Sequence, residues 1–131
     1  MRTAKGSFEV TTWDEETYEE LEGGAKLTRA SVAQTLTGDV DGDGAVQTLM
    51  FYRSDGTAHF VGLQHVTGSV GGRKGGFVLE SAGEFDGKTA TSTWSVVAGS
   101  GTVALEGIRG TGKFEAPSGS KGTFELDYEL G

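Results

Sequence analysis

Residues 47–67 read QTLMFYRSDGTAHFVGLQHVT. Two runs rich in aromatic and β-branched residues flank Ser54-Asp55-Gly56-Thr57. Asp-Gly between such runs is a strong hairpin signal, because both central residues of a type I′ turn need positive φ. Phe85-Asp86-Gly87-Lys88 repeats the pattern, and Val70-Gly71-Gly72-Arg73 is a third candidate. Asp39-Val40-Asp41-Gly42-Asp43-Gly44 reads as a fourth, longer loop.

Outward from these turns lie alternating segments of strand length. They are Gly6–Trp13, Lys26–Leu36, Gln47–Arg53, Ala58–Thr67, Gly76–Phe85, Thr89–Val97, Thr102–Ile108 and Thr123–Leu130. Gly112–Ala116 extends the seventh past a Gly-bent corner. Roughly eight strands at this spacing, with no helical period and no solenoid repeat, predict an all-β fold. The reading is a small closed antiparallel up-and-down β-barrel, one domain over residues 1–131. Trp13–Leu21 is the exception. Thr12-Trp13-Asp14-Glu15 has the spacing of a capping box. The acid crowded into Asp14–Glu22 favours a solvated loop instead.

The chain has 131 residues, 23 of them Gly and only 1 Pro, and a net charge of −8. Frequent aromatic and β-branched residues argue against disorder. The acidic balance disfavours nucleic acid and anionic membrane surfaces as partners. With no Cys there is neither a disulfide framework nor thiolate chemistry. The N-terminus lacks the apolar core of a signal peptide, and no apolar run reaches membrane-spanning length. The expected location is the cytoplasm.

Two-residue turns fix register and therefore faces. A turn at Asp55-Gly56 would pair Phe51 with Phe60 and Leu49 with Gly62. One at Asp86-Gly87 would pair Leu79 with Trp94 and Phe77 with Val96. One at Gly71-Gly72 would pair Gln64 with Leu79 and Val66 with Phe77. Together they place Leu49, Phe51, Phe60, Gly62, Val66, Phe77, Leu79, Trp94 and Val96 on one interior face. Gln64 falls on that face too, with Arg53 and Ser81 nearer the rim. In the last strand Phe124, Leu126, Tyr128 and Leu130 point inward. A three-residue loop at Gly71-Gly72 would instead pair Gln64 with Glu80 and shift the later faces. The opposite face, with Met50, Tyr52, Val61 and Leu63, is too apolar to stay wet, so a second copy is expected to cover it as a homodimer.

Motifs of chemical interest are sparse. Asp39-x-Asp41-x-Asp43-Gly44 resembles the start of a calcium loop, but its twelfth position is Met50 and its flanks read as strands. No metal or other cofactor is expected. Gly110-Thr111-Gly112-Lys113 and Gly99-Ser100-Gly101-Thr102 lack P-loop spacing and a following helix. His59 and His65, six apart on one strand, would sit about 20 Å apart and cannot share an ion.

Several stretches resemble the bacterial domain of unknown function 3224. They are Gly6-Ser7-Phe8-Glu9-Val10 with Trp13-Asp14-Glu15, Gly38-Asp39-Val40-Asp41-Gly42, Phe60-Val61-Gly62-Leu63 and Gly72-Arg73-Lys74-Gly75-Gly76-Phe77-Val78-Leu79. Gly99-Ser100-Gly101-Thr102, Gly107-Ile108-Arg109-Gly110 and Leu126-Asp127-Tyr128 extend the match over nearly the whole chain. The resemblance implies a closed barrel similar to allene oxide cyclase and, more distantly, to lipocalins. It implies no settled activity. The family pattern has an acid at position 64 and a glutamine at 80, whereas this chain has Gln64 and Glu80.

Three functions compete. The first is binding of a small hydrophobic molecule, with Phe51, Phe60, Leu79, Trp94 and Tyr128 lining the lumen and Arg53, Gln64 and Ser81 supplying polar contacts. The second is a cyclase or isomerase in which Glu9, Gln64 or Glu80 polarises a flexible substrate. The third is a barrel packed solid by its own side chains.

Overall fold

The computed structural model describes residues 1–117 and 120–130. Its strands are β1 (Arg2–Glu20), β2 (Lys26–Gly38), β3 (Val40–Tyr52), β4 (Ala58–Val70), β5 (Arg73–Phe85), β6 (Ala90–Val96), β7 (Thr102–Val103), β8 (Ile108–Ala116) and β9 (Lys121–Leu130). The hydrogen-bonded order β4-β3-β2-β1-β9-β8-β6-β5 returns to β4, and every pairing is antiparallel. This is an eight-stranded up-and-down barrel closed by its first and last strands. Closure gives each of the eight long strands a partner on both sides, although β1 beyond Val10 pairs only with β2 among the described residues.

The Gly71-Gly72 turn holds two residues, with φ of 56° and 86°, and sets Gln64 opposite Leu79 as read. The register error that changes faces lies at Asp55-Gly56. There Tyr52 faces Ala58 and Met50 faces Phe60, one residue away from the expected pairing. The loop holds Ser54-Asp55-Gly56. Gly56 N–H donates to Arg53 O at 3.0 Å, Arg53 N–H donates to Thr57 O at 2.8 Å, and Gly56 has φ 88°. That is a type I turn followed by a left-handed residue, which Asp-Gly suits as well as type I′. The slip turns Leu49, Phe51 and Arg53 outward and Thr48, Met50 and Tyr52 inward. The Asp86-Gly87 loop is longer by two residues, pairing Ser81 with Trp94 and Leu79 with Val96. An even slip preserves faces, so Trp94 and Val96 stay interior, 3% and 9% exposed.

Three other expectations are corrected. The acidic stretch after Trp13 is neither loop nor helical turn but the far half of β1. Its backbone supplies the ladder that β2 needs, and Arg29 meets Glu16 at 2.9 Å across it. A bulge between Val10 and Thr12 changes the side-chain parity, so Trp13 and Glu15 share the inner face with Val10. Residues 40–44 are the first part of β3 and not a loop. The seventh expected strand shrinks to β7, and the barrel strand at that place is β8.

One end of the barrel is filled. Ala4, Leu36, Val40, Val66, Val70, Phe77, Ile108, Leu126 and Tyr128 pack there. Leu105, from the crossing between β7 and β8, drops in at 1% exposure as a plug. Each of the buried Val, Leu, Ile and Phe side chains there contributes about 1.5–3 kcal/mol by leaving water.

Candidate ligand-binding site

The other end stays open. A cavity of about 260 Å³ lies between the strands under the β1–β2, β3–β4 and β5–β6 connections. Its floor is aromatic. Phe114 sits edge-on to Phe8, with ring centroids 5.4 Å apart, and stacks near Phe60 at 6.3 Å. Trp94 lies beneath, 5.7 Å from Phe114 and 5.6 Å from Phe124. The walls are Val10, Val32, Val46, Met50, Phe85, Ala90 and Ala116, with Trp13 and Tyr52 near the rim. Polar groups are few: Gln34, Thr48, Gln64 and Ser81. Thr48 donates its hydroxyl to Val61 O at 3.1 Å.

Gln64 is 3% exposed, yet its Nε2 has no hydrogen-bond partner among the described residues. Gln34 Oε1 and Trp94 Nε1 are buried and unpartnered as well. Gln34 lies opposite Gly44 on β2–β3, and Gln64 lies opposite Val46 on β3–β4. Gly44 makes the arrangement possible, because a Cβ there would collide with Gln64 Nε2 and sit 3.1 Å from Gln34 Cγ.

A second polar cluster stands at the rim. Trp13 Nε1–H donates to Glu15 Oε1 at 2.9 Å, and Thr28 donates its hydroxyl to Glu15 Oε2 at 2.6 Å. Burial raises the Glu15 carboxyl, but hydrogen bonds from Thr28, Trp13 and Tyr52 and the charge of Lys26 outweigh it. The group therefore ends below the ordinary carboxylate range. Tyr52 is pushed well above the usual phenol range, by burial first and then by Glu15.

Of the residues expected in the lumen, Phe60, Gln64 and Ser81 line the cavity. Leu79 and Trp94 are interior but packed below it, and Tyr128 lies at the filled end, its hydroxyl against the Gly71 turn. Phe51 and Arg53 face outward, where the Arg53 guanidinium lies 5.8 Å from the Phe51 ring and 3.0 Å from Glu84. His59 bonds the same carboxylate, and that bond is the main reason the Glu84 carboxyl lies below its ordinary range. Glu9 and Glu80 are exposed. Met50 and Tyr52, expected on the outer face, line the lumen. Val61 and Leu63 remain outside with Leu49, at 43%, 52% and 47% exposure. Asp41 and Asp43 are exposed residues of β3, and the described residues contain no cluster of three or more His, Cys, Asp or Glu able to hold a metal ion.

Sequence reasoning missed Gln34, Trp13, Glu15 and Phe114. The alternation Thr28, Ala30, Val32, Gln34, Leu36 marked an inner face of β2. Nothing local showed that this face would meet that of β4.

The sequence profile described as "Protein of unknown function (DUF3224)" matches residues 4–128. The chain belongs to this family. It is similar to the crystal structure of a protein of unknown function from the DUF3224 family of Shewanella oneidensis MR-1. That chain is 27% identical, with a TM-score of 0.85 over 100% of this chain and 98% of the other. No curated protein matches the sequence. No described helix is long and apolar enough to cross a membrane.

Proposed function

We propose that this barrel binds one small, largely apolar molecule in its open half. The observation that carries the reading is the 260 Å³ cavity with an aromatic floor and a few inward polar groups. Such concave, mostly apolar sites with sparse polar contacts are what small-molecule recognition uses. A cavity of about 150 Å³ takes one benzene ring, so this one suits roughly ten heavy atoms. Calorimetric titration with naphthalene tests it. Saturable one-to-one binding that is lost in Val46→Phe is expected. Absence of binding by both naphthalene and its 2-hydroxy analogue would sink the proposal.

A cyclase or isomerase similar to allene oxide cyclase would use the same cavity. With Glu9 and Glu80 exposed outside it, Gln64 alone of the three polarising candidates faces the lumen. Binding therefore ranks ahead of catalysis.

We also propose that a second copy covers the outer stripe Leu49, Val61 and Leu63. Arg29 and Glu80 flank that stripe on β2 and β5. A two-fold axis running along the strands brings Arg29 of one copy toward Glu80 of the other. Sedimentation should show a dimer that Leu63→Lys converts to monomer. A wild-type monomer at high concentration would refute it.

A further inference from the structure

The cavity's two orphan amide atoms say what kind of molecule enters it, given that it binds ligands at all. Gln64 Nε2 is a donor and Gln34 Oε1 an acceptor, both buried and both without a partner among the described residues. They belong to strands on either side of β3 and converge over Gly44, the position in that strand with no side chain to separate them. An unpaired buried polar atom is a standing cost that a matching ligand removes. A plain hydrocarbon would leave both unpaired.

Charge narrows the class further. Among the described residues no Lys, Arg, Asp or Glu lines the cavity. A carboxylate or ammonium bound there would be desolvated without a counter-charge. The net charge of −8 opposes anions before they arrive. We propose that Gln34 and Gln64 select a neutral molecule of one or two rings bearing a group that both donates and accepts. A hydroxyl, a lactam or a primary amide satisfies this. With the two amides turned toward the lumen, the hydroxyl hydrogen goes to Gln34 Oε1 and the hydroxyl oxygen accepts from Gln64 Nε2.

Four probes of one ring system separate this from the binding proposal on which it rests. They are naphthalene, 2-methoxynaphthalene, 2-naphthol and 2-naphthoate, titrated calorimetrically into the full chain. The expected order puts 2-naphthol at least about tenfold tighter than 2-methoxynaphthalene or naphthalene, as two net hydrogen bonds permit. Naphthoate should bind most weakly. In 15N–1H spectra the Gln64 side-chain amide proton should move further downfield with 2-naphthol, which accepts its hydrogen bond, than with naphthalene, which shifts it by ring current alone. Gln64→Leu should reverse the order, so that naphthalene binds at least as well as 2-naphthol. Gln34→Leu provides the same test through the acceptor. If naphthalene binds but 2-naphthol gains nothing, the selection proposal fails and the pocket stands. A preference for naphthoate, or one that survives both substitutions, also overturns it. If no probe binds, both proposals fall.

Discussion

Thr28 donates its hydroxyl to Glu15 Oε2 at 2.6 Å, joining β1 to β2 at the rim of the cavity. The same carboxylate holds the indole of Trp13. Glu15 is thus the pin for one wall of the mouth. Its folded pKa lies below the ordinary 4.5. A depressed carboxyl contributes stability that is present above its unfolded value and lost as pH falls through its folded value. Glu15→Gln should therefore cost about 1 kcal/mol at neutral pH, a hydrogen-bond figure discounted for partial solvation. In urea titrations the gap between wild type and variant should close as pH falls below 4.5. A gap constant from neutral to strongly acidic pH would show that the carboxylate charge plays no part.

Phe114 touches Phe8, Phe60 and Trp94 at once. Removing the ring opens the cavity floor and strips contacts from three neighbours. Phe114→Ala should cost about 3 kcal/mol, at the low end for such truncations because the ring is only partly buried. Urea denaturation reads this directly, and a loss under 1 kcal/mol would show that the floor is not a structural unit.

Gly56 has φ 88° and nothing within 4 Å of where a Cβ would stand. Any cost of adding one is therefore backbone strain. Gly56→Ala should lose about 1 kcal/mol, and Gly56→Asn appreciably less, since Asn tolerates the left-handed region. Equal losses would contradict the turn geometry.

Val103 shows the converse. It is a β-branched residue at φ 56° and 79% exposed. Little packing opposes a change, so Val103→Asn should gain about 1 kcal/mol by relieving strain. A lower thermal midpoint in the variant would refute this.

Both Asp-Gly turns are longer than the expected two residues, but only the slip at Asp55-Gly56 changes faces. Asp55-Gly56 fits a two-residue type I′ turn and a three-residue turn with a left-handed Gly, and the two differ by one residue of register. Local residues cannot choose between them. The choice comes from β3, where Thr48, Met50 and Tyr52 pack inward against β2 and β4. At Gly71-Gly72 the rival three-residue loop would have put Val66 and Phe77 on opposite faces, and the two-residue turn keeps them opposite each other on one face. At the Asp86-Gly87 loop a slip of two left every face unchanged, so Ser81, Leu79 and Trp94 were still placed inside.

The site was legible in part for the same reason. Gln64 stood out as a polar residue on an apolar face, and Phe60 and Ser81 came with it. Gln34, the other half of the amide pair, is 30 residues away in sequence by the numbering of the chain.

Alternation and glycine turns alone determined the all-β meander and most of its strand faces, because side-chain period and turn residues are local properties. Only the tertiary structure decided the β3 faces, the continuation of β1 through its acidic half, and the meeting of Gln34 with Gln64 over Gly44. Those depend on a bulge, on cross-strand packing and on closure of β9 against β1. Each is set by contacts between strands, where the competing local conformations differ by little in energy.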